Sequence, residues 1–277
     1  MGAAARVSRT PDGRMSLVEH LYELRGRLGK SLIAIAVGIV VVFFLWEPLF
    51  TFLRQPYCRT GAGARSCDLY ALGIFDQFKV RLRVASIGGV VAAAPVWLYQ
   101  LGAFITPALH RKEKRYAAGF LGSSLVLFAV GAFFAYITLD KGLDFLLGVG
   151  GHGITVLPSI SSYLNFVTLT LLAFGVAFEF PVVILFLHVA GVLPVSRLVA
   201  WRRGMIVFLA VFAAVVTPST DPYSFLFMWV PLCLLYEVCI AVARLRERGR
   251  RRDGEQGGHE QLGDDETLYV DNTPTKL

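Results

Sequence analysis

The sequence predicts an all-α membrane protein with six helical crossings and both chain ends on one side. Three observations point there. The chain of 277 residues is 55% hydrophobic and only 17% charged, with a mean hydropathy of +0.59, whereas soluble domains are about 45–50% apolar and about 25% charged. Its apolar residues gather into long runs separated by short polar loops. Its basic residues cluster in alternate loops, the pattern that sets orientation in a bilayer. For that reason the net charge of +7 is not read as a nucleic-acid footprint.

An arm over residues 1–14 and a tail over 244–277 are polar and rich in Gly, Arg and Asp. Both are expected to lack order, which leaves 15–243 as the membrane domain. A cleaved signal peptide is not expected, because the first apolar run begins only at Leu32 and no small-x-small site follows it. Before that run, "MSLVEHLYELRGRLGKS" reads as an amphipathic helix. Ser16 and Glu19 fit a capping box, and Leu17, Leu21, Leu24 and Leu28 form a stripe suited to the membrane interface.

Four runs reach the roughly 20 residues that a crossing needs: about 32–53, 84–105, 116–139 and 163–189. Two shorter ones follow, about 205–217 and 225–242. The first of these gives only roughly 20 Å of helix against a hydrocarbon core of about 30 Å. A re-entrant hairpin fits this pair, and so do two crossings through a locally thinned bilayer. Crossings are favoured, because Arg202 and Arg203 then share a side with Arg244, Arg246 and Arg248. With six spans, the arm's arginines, Arg25, Arg27 and Lys30 fall on that side too. So do Arg111, Lys112, Lys114, Arg115 and Arg197, and the side is the cytoplasm. Lys79, Arg81 and Arg83, at the outer mouth of the second span, are the exception.

Cys58 and Cys67 flank a short Gly- and Ala-containing segment of the first outer loop. An oxidising compartment favours a disulfide there, and two free thiols are the other reading. Cys233 and Cys239, in the last span, read as packing residues.

Several acids need a reason. Glu23 is spaced to pair with Arg27 as an ordinary helix-surface pair. Glu113 is the single acid among four basic residues in "HRKEKR", where it relieves repulsion. Alternatively, the two stand together at the cytoplasmic face and grip two guanidinium groups, since a carboxylate binds arginine bidentately. Glu179 interrupts the apolar run "LLAFGVAFEFPVVILF". A charge at the bilayer centre costs about 3 kcal/mol, so it should face protein or a wet cavity, as a functional contact or as a neutral hydrogen-bonded one. Pro181 should bend the helix at the same depth. Glu237 is a weaker case near the inner interface, and Asp221 reads as the N-cap of the last helix.

Taken together, "HLYELRGRL", "PVWLYQLGAFITPALHRKEKR", "SYLNFVTLTLLAFGVAFEFPVV" and "VVTPSTDPYSFLFMWVPLCLLYEV" resemble the TatC family, the multi-spanning receptor subunit of the twin-arginine protein translocase. The likeness runs from about Ser16 to Arg244. It implies six helices in a concave, cup-like bundle in the bacterial cytoplasmic membrane, with both termini cytoplasmic. It implies a non-enzymatic receptor without cofactor that binds twin-arginine signal peptides of folded cargo. Small single-span TatA- and TatB-type subunits would be its partners, in homo- and hetero-oligomers, for export driven by the proton-motive force. The family's signal-peptide site falls on Glu23 and Glu113, with Leu21, Arg25, Phe104, Pro107 and Arg115 at neighbouring family positions. Its membrane acid falls on Glu179, with Pro48, Thr217, Asp221 and Glu237 also fitting the pattern. Family members often carry Gln where this chain has Phe225, and the cysteine pair is not a general family feature.

A proton- or ion-coupled small-solute transporter is the rival reading, with Glu179 as carrier. Transporters usually show internal repeats and paired broken helices, and no repeat is present here. A six-helix serine protease fails, because "GSSLV" lacks the second glycine of the nucleophile segment and His188 is the lone histidine within a span. No Cys/His metal spacing, phosphate loop or dinucleotide fingerprint occurs.

Overall fold

The computed structural model describes residues 17–60, 67–105, 114–148, 158–189, 191–218 and 221–266, with side chains described at 21–60, 67–104, 119, 121–148, 158–189, 191–218 and 221–249. These residues are almost wholly helical: α1 (Leu17–Phe44), α2 (Trp46–Arg59), α3 (Asp76–Ala92), α4 (Ala94–Ile105), α5 (Lys114–Gly148), α6 (Ile160–Ala177), α7 (Glu179–Val189), α8 (Val195–Ala200), α9 (Arg202–Val216) and α10 (Pro222–Glu266). Four stretches are long and apolar enough to cross a bilayer: Leu21–Phe44, Leu121–Gly148, Ile160–Val189 and Pro222–Gly249. The pair α3 and α4 makes a fifth if taken as one path, bent by 51°. At 15 residues, α9 spans about 22 Å and falls short by length.

Proline chemistry explains where the predicted runs break. A proline has no amide proton, and its ring crowds the carbonyl four residues back. Accordingly α1 stops at Phe44, four residues before Pro48, and α6 stops at Ala177, four before Pro181. The α3–α4 break at Ala93 lies just ahead of Pro95. The run 32–53 is therefore two helices, and 84–105 begins early, at Asp76, and is divided. Pro56 and Pro231 sit inside α2 and α10 without ending them, so a proline alone does not dictate a break. The tail also departs from expectation, because α10 continues to Glu266. From Arg244 the chain opens with the strong helix formers Arg, Leu and Glu and meets no proline before Pro274.

The rods alternate in direction between two ends of the bundle. One end is strapped. Cys58 and Cys67 form a disulfide there, with Cα atoms 5.0 Å apart. The Tyr163 hydroxyl, buried at the start of α6, donates to the Leu53 carbonyl at 2.7 Å and accepts from the Tyr57 amide at 3.2 Å. Tyr70 and Ser159 form a parallel bridge between two connections. Asp76 Oδ2 accepts from the Leu72 and Gly73 amides at 3.0 and 2.7 Å, closing the turn that starts α3. At the other end, Tyr236 of α10 donates to the Leu198 carbonyl at 2.8 Å.

Glycines set the closest crossings. A Cβ on Gly38 would lie 2.7 Å from the Gly89 carbonyl oxygen, and one on Gly89 would lie 2.5 Å from the Ile39 nitrogen, so α1 and α3 touch backbone to backbone. Gly131 of α5 meets the Phe174 carbonyl in the same way, at 2.6 Å. Small residues serve this role in lipid, where van der Waals contact replaces the hydrophobic drive. The main core gathers Phe174, Phe178, Leu209, Met228, Leu232 and Tyr236 from α6, α9 and α10. A second core, with Leu53, Val84, Leu139, Tyr163 and Leu164, sits towards the strapped end.

Candidate functional site

Glu23 lies on the first turns of α1, at the end of the bundle away from the disulfide. Arg27, one turn on, donates to its Oε1 through Nε at 3.1 Å and Nη2 at 2.6 Å. Both side chains are about three-quarters covered, at 24% and 25% exposure. The other oxygen, Oε2, is buried without a hydrogen-bonding partner among the described residues. The carboxylate is therefore half used, and the unpaired half has lost water without gaining a donor. Leu21 and Arg25 are exposed on the same helix. α4 packs along α1, which brings Phe104, partly buried near the end of α4, to the same end of the bundle. Glu113 and Pro107 lie outside the described residues, as do the side chains of Arg115 and Glu19, and Ser16. The pairing of Glu23 with Glu113 and the capping box are thus expectations only.

Glu179 opens α7 just past the break at Phe178 and is buried, 7% exposed. It faces protein. Ser124 of α5, itself fully buried, is the polar side chain set towards it. Yet Glu179 Oε1 and Ser124 Oγ each lack a partner at bonding distance among the described residues. The break beside Pro181 thus sets a carboxylate and a hydroxyl towards each other inside the bundle.

The remaining polar residues named from the sequence are engaged inside the chain. Thr217 donates to the Ala213 carbonyl at 2.6 Å and contacts Met228 Sδ at 3.7 Å, so its hydroxyl is not turned outward. Asp221 stands at the N-cap position of α10, accepting from the Ser224 amide at 2.7 Å. Its Oδ2 has no partner among the described residues, and Gly142 of α5 leaves room for it. Glu237 takes a bidentate grip from Arg202, at 2.7 and 2.6 Å. It lies at the end of α9 that carries the arginines, not at mid-depth. Pro48 acts through the helix break. Phe225 stacks on Trp229, ring centroids 5.9 Å apart, and fills core instead of offering a polar group.

Sequence reasoning missed three contacts. Ser124 gave no signal beyond being a hydroxyl in an apolar run. Arg59 and Asp140 pair at 3.8 Å across α2 and α5. Arg81 donates to the Phe43 carbonyl through Nε at 3.2 Å and Nη2 at 2.9 Å, and lies 4.5 Å over the Phe43 ring. That carbonyl is orphaned by the break before Pro48, so the proline was the available clue.

The sequence pattern of the family described as "Sec-independent protein translocase protein (TatC)" matches residues 19–231. The chain belongs to the TatC family. The "Sec-independent protein translocase protein TatC" of Frankia casuarinae is 44% identical over 275 residues, covering 96% of this chain and 76% of that protein. That of Aquifex aeolicus is 36% identical over 240 residues, covering 86% and 98%. A solved structure, "Crystal Structure of Twin Arginine Translocase Receptor- TatC in DDM", superposes with a TM-score of 0.70 at 36% identity, covering 81% of this chain and 99% of its own. The family and the apolar helices together make this a multi-pass membrane component of a protein translocase. The small-solute transporter reading gains no support from them.

Proposed function

We propose that this chain is the receptor subunit of a twin-arginine translocase in the bacterial inner membrane, acting in transport and not in catalysis. It crosses six times, α9 through thinned bilayer, with Glu23, Arg202 and both termini on the cytoplasmic side and the disulfide outside. Glu23 and Glu113 hold the two guanidinium groups of a signal peptide, with Leu21, Arg25, Phe104, Pro107 and Arg115 around them. Glu179 offers a polar contact at membrane depth to a TatA- or TatB-type helix or to an inserted signal hairpin, in export driven by the proton-motive force.

The observation that carries this reading is the buried Oε2 of Glu23, an acceptor without a donor among the described residues, beside an exposed stripe of α1. A guanidinium satisfies such a group with two charge-assisted hydrogen bonds, and an ammonium cannot match that fork. The name of the solved relative, a twin-arginine translocase receptor, supports the same ligand. The test is crosslinking in native membranes from a photoreactive residue beside the twin arginines of a signal peptide. An arginine-dependent crosslink to this chain is expected. Equal crosslinking by a twin-lysine peptide, or none by either, would overturn the proposal.

A further inference from the structure

Orientation by positive charge leaves three residues of α3 on the wrong side: Lys79, Arg81 and Arg83. Arg81 is accounted for, because it caps the C-terminal carbonyls of α1. Lys79 and Arg83 are not. They stand four residues apart on one flank of α3, and so on neighbouring turns. Both line a single cleft of about 430 Å³ with Ser86 and with Ser161 of α6. Neither has an acidic partner among the described residues, and Arg83 donates instead to the neutral Asn165 Oδ1 at 3.2 Å. Ser161 lies in the first turn of α6, where the helix adds partial positive charge of its own. The rest of the lining is Val80, Leu82 and Ile87, which are apolar.

Two cations without an acidic partner among the described residues, the Ser161 hydroxyl and a helix start form the polar part of this cleft, the Ser86 hydroxyl being spent on the Leu82 carbonyl at 2.8 Å, and hydrocarbon forms the rest. A phosphate anion satisfies the first set. Only an anion that carries acyl chains satisfies both.

We propose that the cleft between α3 and the start of α6 binds an anionic phospholipid of the outer leaflet, its phosphate on Lys79 and Arg83 and its chains along Val80, Leu82 and Ile87. The leaflet rests on the six-crossing topology proposed above, whereas the lipid chemistry rests on the cleft itself. Negatively charged headgroups are preferred over zwitterionic ones, because a headgroup ammonium would sit beside two cations with no acid to meet it. Bound there, the lipid neutralises the charge that the orientation rule disfavours.

Native mass spectrometry of the full-length protein in detergent, titrated with phosphatidylglycerol, phosphatidylcholine or inorganic phosphate, tests the site. Phosphatidylglycerol should be retained most strongly. Lys79→Gln with Arg83→Gln should weaken that retention about thirtyfold, the effect of two basic contacts at a membrane surface. Lys79→Arg with Arg83→Lys should keep it, and so should Lys141→Gln, which removes a basic residue outside the cleft. Retention unchanged by the Gln pair, or equal for the two lipids, would overturn the proposal. Displacement of the lipid by millimolar inorganic phosphate would make this a free-anion site, and would overturn it too. Lys79→Cys should react with an impermeant thiol reagent from outside the cell, scored against the parent chain. Reaction only from inside would overturn the leaflet while leaving the titration standing, which separates a failed topology from a failed lipid site.

Discussion

The two acids at the centre of this account stand on opposite kinds of ground. Glu23 belongs to α1, whose most apolar stretch packs on α3 but holds no fully buried residue. Glu179 belongs to the path Ile160–Val189, 56% of whose most apolar stretch is buried. One carboxylate is at the rim and half paired with its own helix neighbour. The other is inside, facing Ser124, with its Oε1 unpartnered among the described residues. The difference teaches that an unsatisfied acceptor means different things at different depths. At the rim it is a vacancy for a strong donor from water. Within the bundle it carries a standing cost in the free protein, which the proposed partner contact would relieve by supplying a donor.

The largest expected effect tests the inner acid. Glu179→Leu should abolish most export, whereas Glu179→Gln should keep most of it, since an amide still hydrogen-bonds at that depth. The free protein should melt no earlier with Leu than with Glu, because the substitution removes an unpartnered polar group. Export assays and thermal melts in detergent read the two effects separately. If Gln damages export as much as Leu, the carboxyl works by titrating. Full export by the Leu variant would leave Glu179 as a residue of the fold alone.

Next comes the strapped end, where the disulfide and the Tyr163 hydrogen bonds tie the connections together. Cys58→Ser should cost at most about 3 kcal/mol of stability, since the closed loop is short. Thiol labelling of protein from native membranes with and without reductant checks the bond directly, and free labelling of both thiols without reductant would contradict it. Arg81→Gln should cost about 1–2 kcal/mol, because the Phe43 carbonyl loses a charged donor. Denaturant unfolding measures that loss, and an unchanged midpoint would mean water caps α1 equally well. The smallest effect belongs to Glu23. Its pair with Arg27 is a surface pair one helical turn apart, worth a few tenths of a kcal/mol. Glu23→Ala should therefore barely move the melting temperature.

Much of this was legible in the sequence, for physical reasons that differ by residue. Hydrocarbon demands long apolar runs, so the helices through Leu32, Tyr116 and Tyr163 announced themselves, and Glu179 stood out against its surroundings. Pro181 predicted an interruption at that depth, and the helix breaks at Phe178. The breaks before Pro48 and Pro95 follow the same rule, but a long run of apolar residues hid them. Ser124 and Arg81 were illegible, because their roles depend on which helices cross, and crossings are fixed by glycines such as Gly38 and Gly89 whose partners lie elsewhere in the chain. Glu237 looked like a membrane acid, and its bidentate hold on Arg202 is a tertiary fact. In the tail, composition and local propensity pull apart, since its glycines and arginines read as disorder while the described backbone is helical to Glu266.

The central claim is that signal recognition resides at Glu23 and Glu113, apart from Glu179. A titration of the purified protein with a fluorescent twin-arginine signal peptide tests it most directly, comparing wild type, Glu23→Ala with Glu113→Ala, and Glu179→Leu. Loss of a guanidinium's charged partner should weaken binding by about 1.5–3 kcal/mol at each acid, and the wild-type affinity should fall as salt rises. The Glu179→Leu protein should bind like wild type. Wild-type affinity in the double variant, or a loss confined to Glu179→Leu, would contradict the account.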